Sequence, residues 1–239
     1  MARGKAVINL LNLDPGERVA TVLPVRDLNE SGRFVIMVTR NGQIKRTALS
    51  AFSHPKKIGI IALTINPEDE LVSASLTDGK NIVFIATRNG KSISFHENDI
   101  RVMGRSAAGV RGIRLSSDDA VVSMDILTEG SPEKILTVKT NGYGKRTPAS
   151  DYRLQSRGGM GLITIKIEEE NVHLVNAFKV DDEDQLMMIT DTGRIIRIRV
   201  KEIMVYHRNT QGVKLFEVAP GERVVGVARL EEEKEDPES

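Results

Sequence analysis

Apolar and polar positions alternate along this chain in short runs of five to seven residues, broken by glycine, asparagine and aspartate, and no window carries a helical period. The second of several similar stretches shows the pattern best. Residues 59–65, 70–76, 81–87 and 91–95 read as strands, separated by Asn66-Pro67-Glu68-Asp69, Asp78-Gly79 and Asn89-Gly90. Asn-Gly and Asp-Gly between β-rich runs are strong hairpin signals, because both turn residues must tolerate positive φ. This spacing predicts an antiparallel meander of four strands within the stretch. Its third strand, Ile82-Val83-Phe84-Ile85-Ala86, is apolar throughout, as is Leu186-Met187-Met188-Ile189, which suits strands buried on both faces.

The stretch repeats. Gly59-Ile60-Ile61-Ala62-Leu63 is followed by related strings at Gly109, Gly161 and Gly212, spaced 50, 52 and 51 residues apart. A second landmark, the tight-turn glycines Gly42, Gly90, Gly142 and Gly193, runs in phase with spacings of 48, 52 and 51. Four-stranded units of about 50 residues point to an all-β fold, a propeller-like pinwheel of repeated four-stranded antiparallel blades. The expected division is a pinwheel over residues 1–230, with units at about 4–58, 59–108, 109–160 and 161–211 and a two-stranded remnant at 212–230. Residues 231–239 form an acidic tail.

That tail changes the reading of charge. The 239 residues carry 34 Lys and Arg against 33 Asp and Glu, a net charge of +1. Glu-Glu-Glu-Lys-Glu-Asp-Pro-Glu-Ser at the end holds six of the acids and one base, so the body keeps 33 bases against 27 acids. Residues 1–60 alone hold ten bases and four acids. Such asymmetry invites a polyanionic partner. There is no cysteine, which excludes disulfides, thiolate metal sites and thiol catalysis, and no run approaches the ~20 apolar residues of a membrane helix. A cytoplasmic setting without a membrane partner is expected.

Enzyme signatures are sparse. Gly90-Lys91-Ser92 ends like a phosphate-binding loop, but Ile85 stands where that motif needs its first glycine, and the segment is a hairpin turn. His54, His96, His173 and His207 have no partner at ligand spacing, so no metal is expected. The acidic clusters Asp118-Asp119, Glu168-Glu169-Glu170 and Asp181-Asp182-Glu183-Asp184 fall at turns. No acid, base or nucleophile constellation recurs, and none is assigned a catalytic role. Basic residues do recur: Lys45-Arg46 and Lys145-Arg146 after the tight turn, Arg194, Arg197 and Arg199 in the fourth unit, Arg88 and Lys91 around the second turn, and Lys56-Lys57, Arg101, Arg105, Arg153, Arg157 and Arg208 in the long connections. With the fourth strand of each blade outermost, these cations line a rim that holds the phosphates of a bent duplex; protection of exposed strand edges accounts for the same pattern. With 4% aromatic residues and no Trp, base stacking on single strands is disfavoured.

Several strings in order, residues 104–115, 140–147, 185–191 and 208–213, resemble the C-terminal domain of the A subunit of bacterial DNA gyrase over essentially the whole chain. The resemblance implies a six-bladed β-pinwheel whose basic perimeter wraps duplex DNA in positive handedness and supports ATP-dependent negative supercoiling. Two departures stand out. The family's Gln-Arg-Arg-Gly-Gly-Lys-Gly box is absent in its proper form, and four of six tight-turn units are present, so against the family pattern the domain is expected to be truncated on its N-terminal side. Gln155-Ser156-Arg157-Gly158-Gly159-Met160-Gly161 is similar to a degenerate copy of that box. The cleaving tyrosine, the ATPase, and with them ATP and magnesium, belong to other parts of the parent enzyme, so no cofactor is expected in this chain.

The expected DNA contacts are Arg40, Lys45, Arg46, Lys56, Lys57, Arg88, Lys91, Arg101, Arg105, Lys145, Arg146, Arg153, Arg157, Arg194, Arg197 and Arg208. Expected partners are double-stranded DNA and the remaining parts of the gyrase holoenzyme, both the rest of its A subunit and its B subunit, in a nucleoid-associated setting. Two alternatives stay open: the C-terminal domain of the A subunit of topoisomerase IV, and a propeller scaffold that binds protein partners.

Overall fold

The computed structural model describes residue 13 and residues 16–56 and 59–230. In chain order the strands are β1 (Phe34–Thr39), β2 (Gln43–Ala48), β3 (Leu71–Thr77), β4 (Ile82–Thr87), β5 (Lys91–His96), β6 (Val110–Arg111), β7 (Val121–Leu127) and β8 (Lys134–Lys139). They continue with β9 (Tyr143–Pro148), β10 (Leu162–Ile163), β11 (Leu174–Val180), β12 (Gln185–Thr190), β13 (Ile195–Arg199), β14 (Val213–Lys214) and β15 (Val224–Leu230). The only helical pieces among the described residues are single 3₁₀ turns, each following the second strand of a hairpin: Leu49–Phe52, Glu97–Asp99, Ala149–Asp151 and Val200–Glu202.

Among the described residues four antiparallel sheets result, with orders β3-β1-β2-β6, β7-β4-β5-β10, β11-β8-β9-β14 and β15-β12-β13. Each is built on a hairpin, with a seven-residue strand on one side and, in three of the four, a two-residue strand on the other. The all-β pinwheel expected from the repeats is therefore present. The meander expected within each sequence unit is corrected. β3 pairs with β1 of the preceding unit, Met37 opposite Ala74, and does not pair with β4, the strand that follows it. Side chains around Asp78-Gly79 explain the crossing. Asp78 accepts hydrogen bonds from the Lys80 amide (3.1 Å) and Asn81 Nδ2 (2.6 Å), while buried Glu97 accepts from the Asn81 amide (2.8 Å) and the Thr77 hydroxyl (2.6 Å). With its donors committed in this way, the turn passes the chain to the next sheet instead of folding it back.

The core lies between the sheets. Val83, Phe84, Ile85 and Ala86 of β4 are all fully buried; the first and third pack with Ile36, Val38 and Ile44 of the first sheet, the second and fourth with Ile135 and Ala177 of the third. Burying each large side chain in this way contributes roughly 1.5–3 kcal/mol. In the last sheet one face lacks that cover among the described residues, and Met187 and Ile189 of β12 are exposed. The long strands β3, β7, β11 and β15 surround a central cavity of about 360 Å³, lined in part by Ser73, Asp125, Asn176 and Lys179. The short strands lie at the opposite, outer edge of their sheets. Among the described residues no helix is long and apolar enough to cross a membrane.

Candidate nucleic-acid interface

After each of the last three 3₁₀ turns the chain loops along the outer edge of the preceding sheet. Val102 bridges Arg46 and the Met103 amide donates to Arg46 O (2.8 Å), after which β6 pairs Val110 with Ile44 and Arg111 with Gln43. Residues 154–163 run along β5 in the same way, and residues 204–214 along β9. These three rim loops run through the landmark glycines Gly109, Gly161 and Gly212, all at positive φ (+94°, +74°, +78°). A Cβ there would stand 2.6, 2.5 and 2.5 Å from the carbonyl oxygens of Ile44, Ser92 and Gly144. Both the left-handed backbone and the close approach to the neighbouring strand require glycine.

Successive rim loops are joined by one repeated backbone bond, five residues after one landmark glycine to two before the next. Thr64 N donates to Ala107 O (3.4 Å), Arg114 N to Gly159 O (2.8 Å) and Lys166 N to Thr210 O (2.9 Å). The rim is thus a bonded series, not a set of independent loops.

The sixteen basic residues expected to meet DNA separate into groups on this frame. Lys45 and Lys145 are fully buried. Lys45 Nζ donates to Ala62 O (2.7 Å) and to Arg105 O; Lys145 Nζ donates to His207 O (2.5 Å), Arg208 O and Thr210 Oγ1 (3.1 Å). Burial lowers the Lys45 ammonium to about 8, with Arg105 adding to the shift, and the Lys145 ammonium to about 7, with Arg208 adding to it. Both pin rim loops from beneath. Arg46 is buried over the Phe34 ring (4.7 Å), bonded to Asn98 Oδ1 (2.7 Å) and paired with Glu97 (3.6 Å). Arg146 is buried against Asp182 and Ile203 O (2.7 Å). The expectation of outward cations at these four positions is revised: the rim loops fold over the strand edge and take up the two ammonium groups, while the 3₁₀ turns, with Asp182, take up the two guanidinium groups.

Arg40, Arg88 and Arg194 stand at the hairpin turns and engage local acceptors: Glu70 (3.5 Å), Asp118 O, and Glu222 (3.2 Å) with Glu217 O. Arg197 lies exposed on β13, bonded to Gln185 Oε1 (2.6 Å), and Lys91 is half-buried at the start of β5. Lys57 lies outside the described residues, as does the acidic tail. Arg105, Arg157 and Arg208 are half-buried within the rim loops and bonded to backbone carbonyls. Lys56, Arg101 and Arg153 are exposed on the rim connections, with no side-chain partner among the described residues.

Three more exposed cations without such a partner, Arg111, Arg114 and Lys166, belong beside them. Reading the sequence for clusters of basic residues passes over these isolated ones. Register finds two of them, Arg114 and Lys166, which each fall five residues after a landmark glycine. Arg101 and Arg153 each fall eight before one, so equivalent cations recur on consecutive rim loops.

A family profile described as DNA gyrase C-terminal domain, beta-propeller, matches residues 1–26, 33–78, 81–128, 133–181 and 184–231. Its units begin at the hairpins, so that 33–78 takes in β1, β2 and β3, three strands of one sheet. The A subunit of DNA gyrase from Salmonella typhimurium (strain LT2) is 49% identical over 237 residues, which are 99% of this chain and 27% of that protein. The chain thus spans about a quarter of that relative's length. The crystal structure of the C-terminal domain of DNA topoisomerase IV superposes with a TM-score of 0.88 at 26% identity, over 95% of this chain and 71% of that one. A structure of the DNA gyrase A C-terminal domain shares the fold with a TM-score of 0.82 at 23% identity, over 95% and 75% of the two chains. With the profile matched along nearly its whole length, the chain belongs to the DNA gyrase C-terminal domain family.

Proposed function

We propose that this chain binds duplex DNA along its rim without sequence preference and wraps it, as the accessory module through which the A subunit of a DNA gyrase supports ATP-dependent negative supercoiling. The recurrence on consecutive rim loops of exposed cations with no side-chain partner among the described residues, Arg101 with Arg153 and Arg114 with Lys166, carries the reading. Phosphate contacts of this kind hold any sequence and release counterions. Bending 20–30 base pairs by 40–90° costs on the order of 1–6 kcal/mol, so one loop acting alone does not wrap DNA, whereas bonded loops in series share that cost. Strand cleavage and ATP hydrolysis are assigned to the other parts of the holoenzyme, the remainder of the A subunit together with the B subunit, which are the proposed protein partners. The setting is the nucleoid.

Binding of the chain to a duplex of about 150 base pairs across a salt series tests this reading. Six phosphate contacts, from Lys56, Arg101, Arg111, Arg114, Arg153 and Lys166, give a slope of log affinity against log salt of about −5. A slope near zero, or no binding at low salt, refutes it. Deleting residues 231–239 tightens binding if the acidic tail competes with DNA for the rim, and leaves affinity unchanged if the tail only adds charge.

A further inference from the structure

Three arginines occupy one position in the repeat, four residues before a landmark glycine: Arg105, Arg157 and Arg208. Each reaches back to the preceding rim loop and bonds the carbonyl two residues after that loop's own landmark glycine. Arg105 Nη1 donates to Ile61 O (3.2 Å), Arg157 Nη1 to Arg111 O, and Arg208 Nη1 to Ile163 O (2.8 Å). Two of them hold a second equivalent carbonyl, at the close of the 3₁₀ turn that leads into that preceding rim loop: Arg157 Nε donates to Asp99 O (3.2 Å) and Arg208 Nε to Asp151 O (2.7 Å). One guanidinium therefore spans both ends of the loop before it. The rigid fork of arginine suits this task, since a lysine offers a single point of attachment.

We propose that Arg105, Arg157 and Arg208 are positioning residues for DNA wrapping: each clasps its rim loop to the preceding one, and so keeps the exposed cations of successive loops at one spacing. This rests on the wrapping function proposed above. It also separates two roles within the basic set, since Arg101, Arg114, Arg153 and Lys166 meet phosphate while the clasps set where those contacts fall. The middle clasp carries the most weight. Buried lysines brace the backbone of the other two, Lys45 at Arg105 O and Lys145 at Arg208 O, whereas Ile93 stands at the equivalent position beneath the box-like loop that carries Arg157.

The test compares Arg157→Gln, Arg105→Gln and the phosphate-contact variant Arg153→Gln in the full 239-residue chain, with Arg157→Lys as a conservative variant that keeps the charge. Two duplexes are used: one of about 150 base pairs, long enough to bend around several loops, and one of about 12, little more than a helical turn. End-to-end distance by energy transfer reports compaction of the long duplex, and affinity and salt slope are measured on both. Arg157→Gln is expected to weaken binding and compaction of the long duplex about tenfold while leaving affinity and slope on the short one unchanged. Arg105→Gln, whose loop keeps its lysine brace, loses less.

Arg153→Gln lowers affinity for both duplexes and the slope by about 0.9. Arg157→Lys holds one carbonyl of two and recovers part of the compaction. Were Arg157→Gln to unfold the chain, Arg157→Lys against Arg153→Gln decides on the same readouts. A loss on the short duplex matching that of Arg153→Gln would make Arg157 a phosphate ligand and overturn the clasp. So would wild-type compaction in Arg157→Gln. If the wild-type chain fails to compact the long duplex, the wrapping function falls and the clasp's role with it.

Discussion

Gly161→Ala isolates the contact that seats a rim loop on its neighbouring sheet. The residue sits at φ +74°, and the added Cβ would lie 2.5 Å from Ser92 O and 3.0 Å from Ser92 C. Neither atom is free to yield, because Ser92 is paired with Leu162 on one side and Ala86 on the other. Forcing a non-glycine residue into the left-handed region costs on the order of 1–2 kcal/mol, and overfilling a packed site about 1–3 kcal/mol more. The comparison that separates the two terms is Gly59→Ala. Gly59 is the same landmark, at φ +82°, yet none of the described residues lies within 4 Å of its Cβ position. It should show the backbone term alone.

Urea unfolding of the two variants at one temperature is expected to place Gly161→Ala about 1–3 kcal/mol below Gly59→Ala, with unchanged m-values. In thermal unfolding that gap corresponds to about 2–4 °C per kcal/mol for a chain of this size. Equal losses in the two variants would refute the reasoning, since the clash with Ser92 would then contribute nothing.

Two further substitutions probe the buried polar groups behind the rim. Lys145, lowered by burial to about 7 in the folded chain, returns to an ordinary lysine value on unfolding. Between pH 7 and about 10 the unfolded chain therefore binds the extra proton, and stability rises with pH; below 7 both states are protonated and this gain is absent. Relative to Lys145→Met, the wild type should gain up to about 1.4 kcal/mol per pH unit across that window in urea unfolding, and parallel profiles would contradict the burial argument. Glu97→Ala removes a fully buried carboxylate that accepts from Thr77 and Asn81 and faces Arg46 at 3.6 Å. The guanidinium keeps Asn98 Oδ1 and the Phe34 ring but loses its only carboxylate among the described residues, and breaking this buried pair should cost about 3–5 kcal/mol, read by the same unfolding assay; a loss below about 1 kcal/mol would mean that water replaces the pair.

The period of the repeat is legible because two sets of glycines mark it, and the structure gives both a backbone reason, positive φ at tight turns and at the loop-to-strand junctions. The apolar run of β4 likewise declares a strand buried on both faces. What stays hidden is which strands share a sheet. β6 is two residues long and pairs with β2 across more than sixty residues of chain, so no local pattern announces it. That omission misplaces Lys45, Arg46, Lys145 and Arg146. Their strands read as outermost until the rim loops are seen to cover them, and only the loop carbonyls explain how an ammonium is kept inside. Arg114 and Lys166 escape notice for the opposite reason, lying apart from the basic clusters and becoming significant only in register.

The most direct test of the central claim is the linking number of closed-circular DNA relaxed by a separate topoisomerase in the presence of this chain. Wrapping around the rim in positive handedness predicts a positive linking-number change that grows with the amount of bound chain and shrinks as Arg101, Arg114, Arg153 and Lys166 are replaced by Gln. An unchanged linking number at full occupancy would contradict the account and leave a protein that binds DNA without wrapping it.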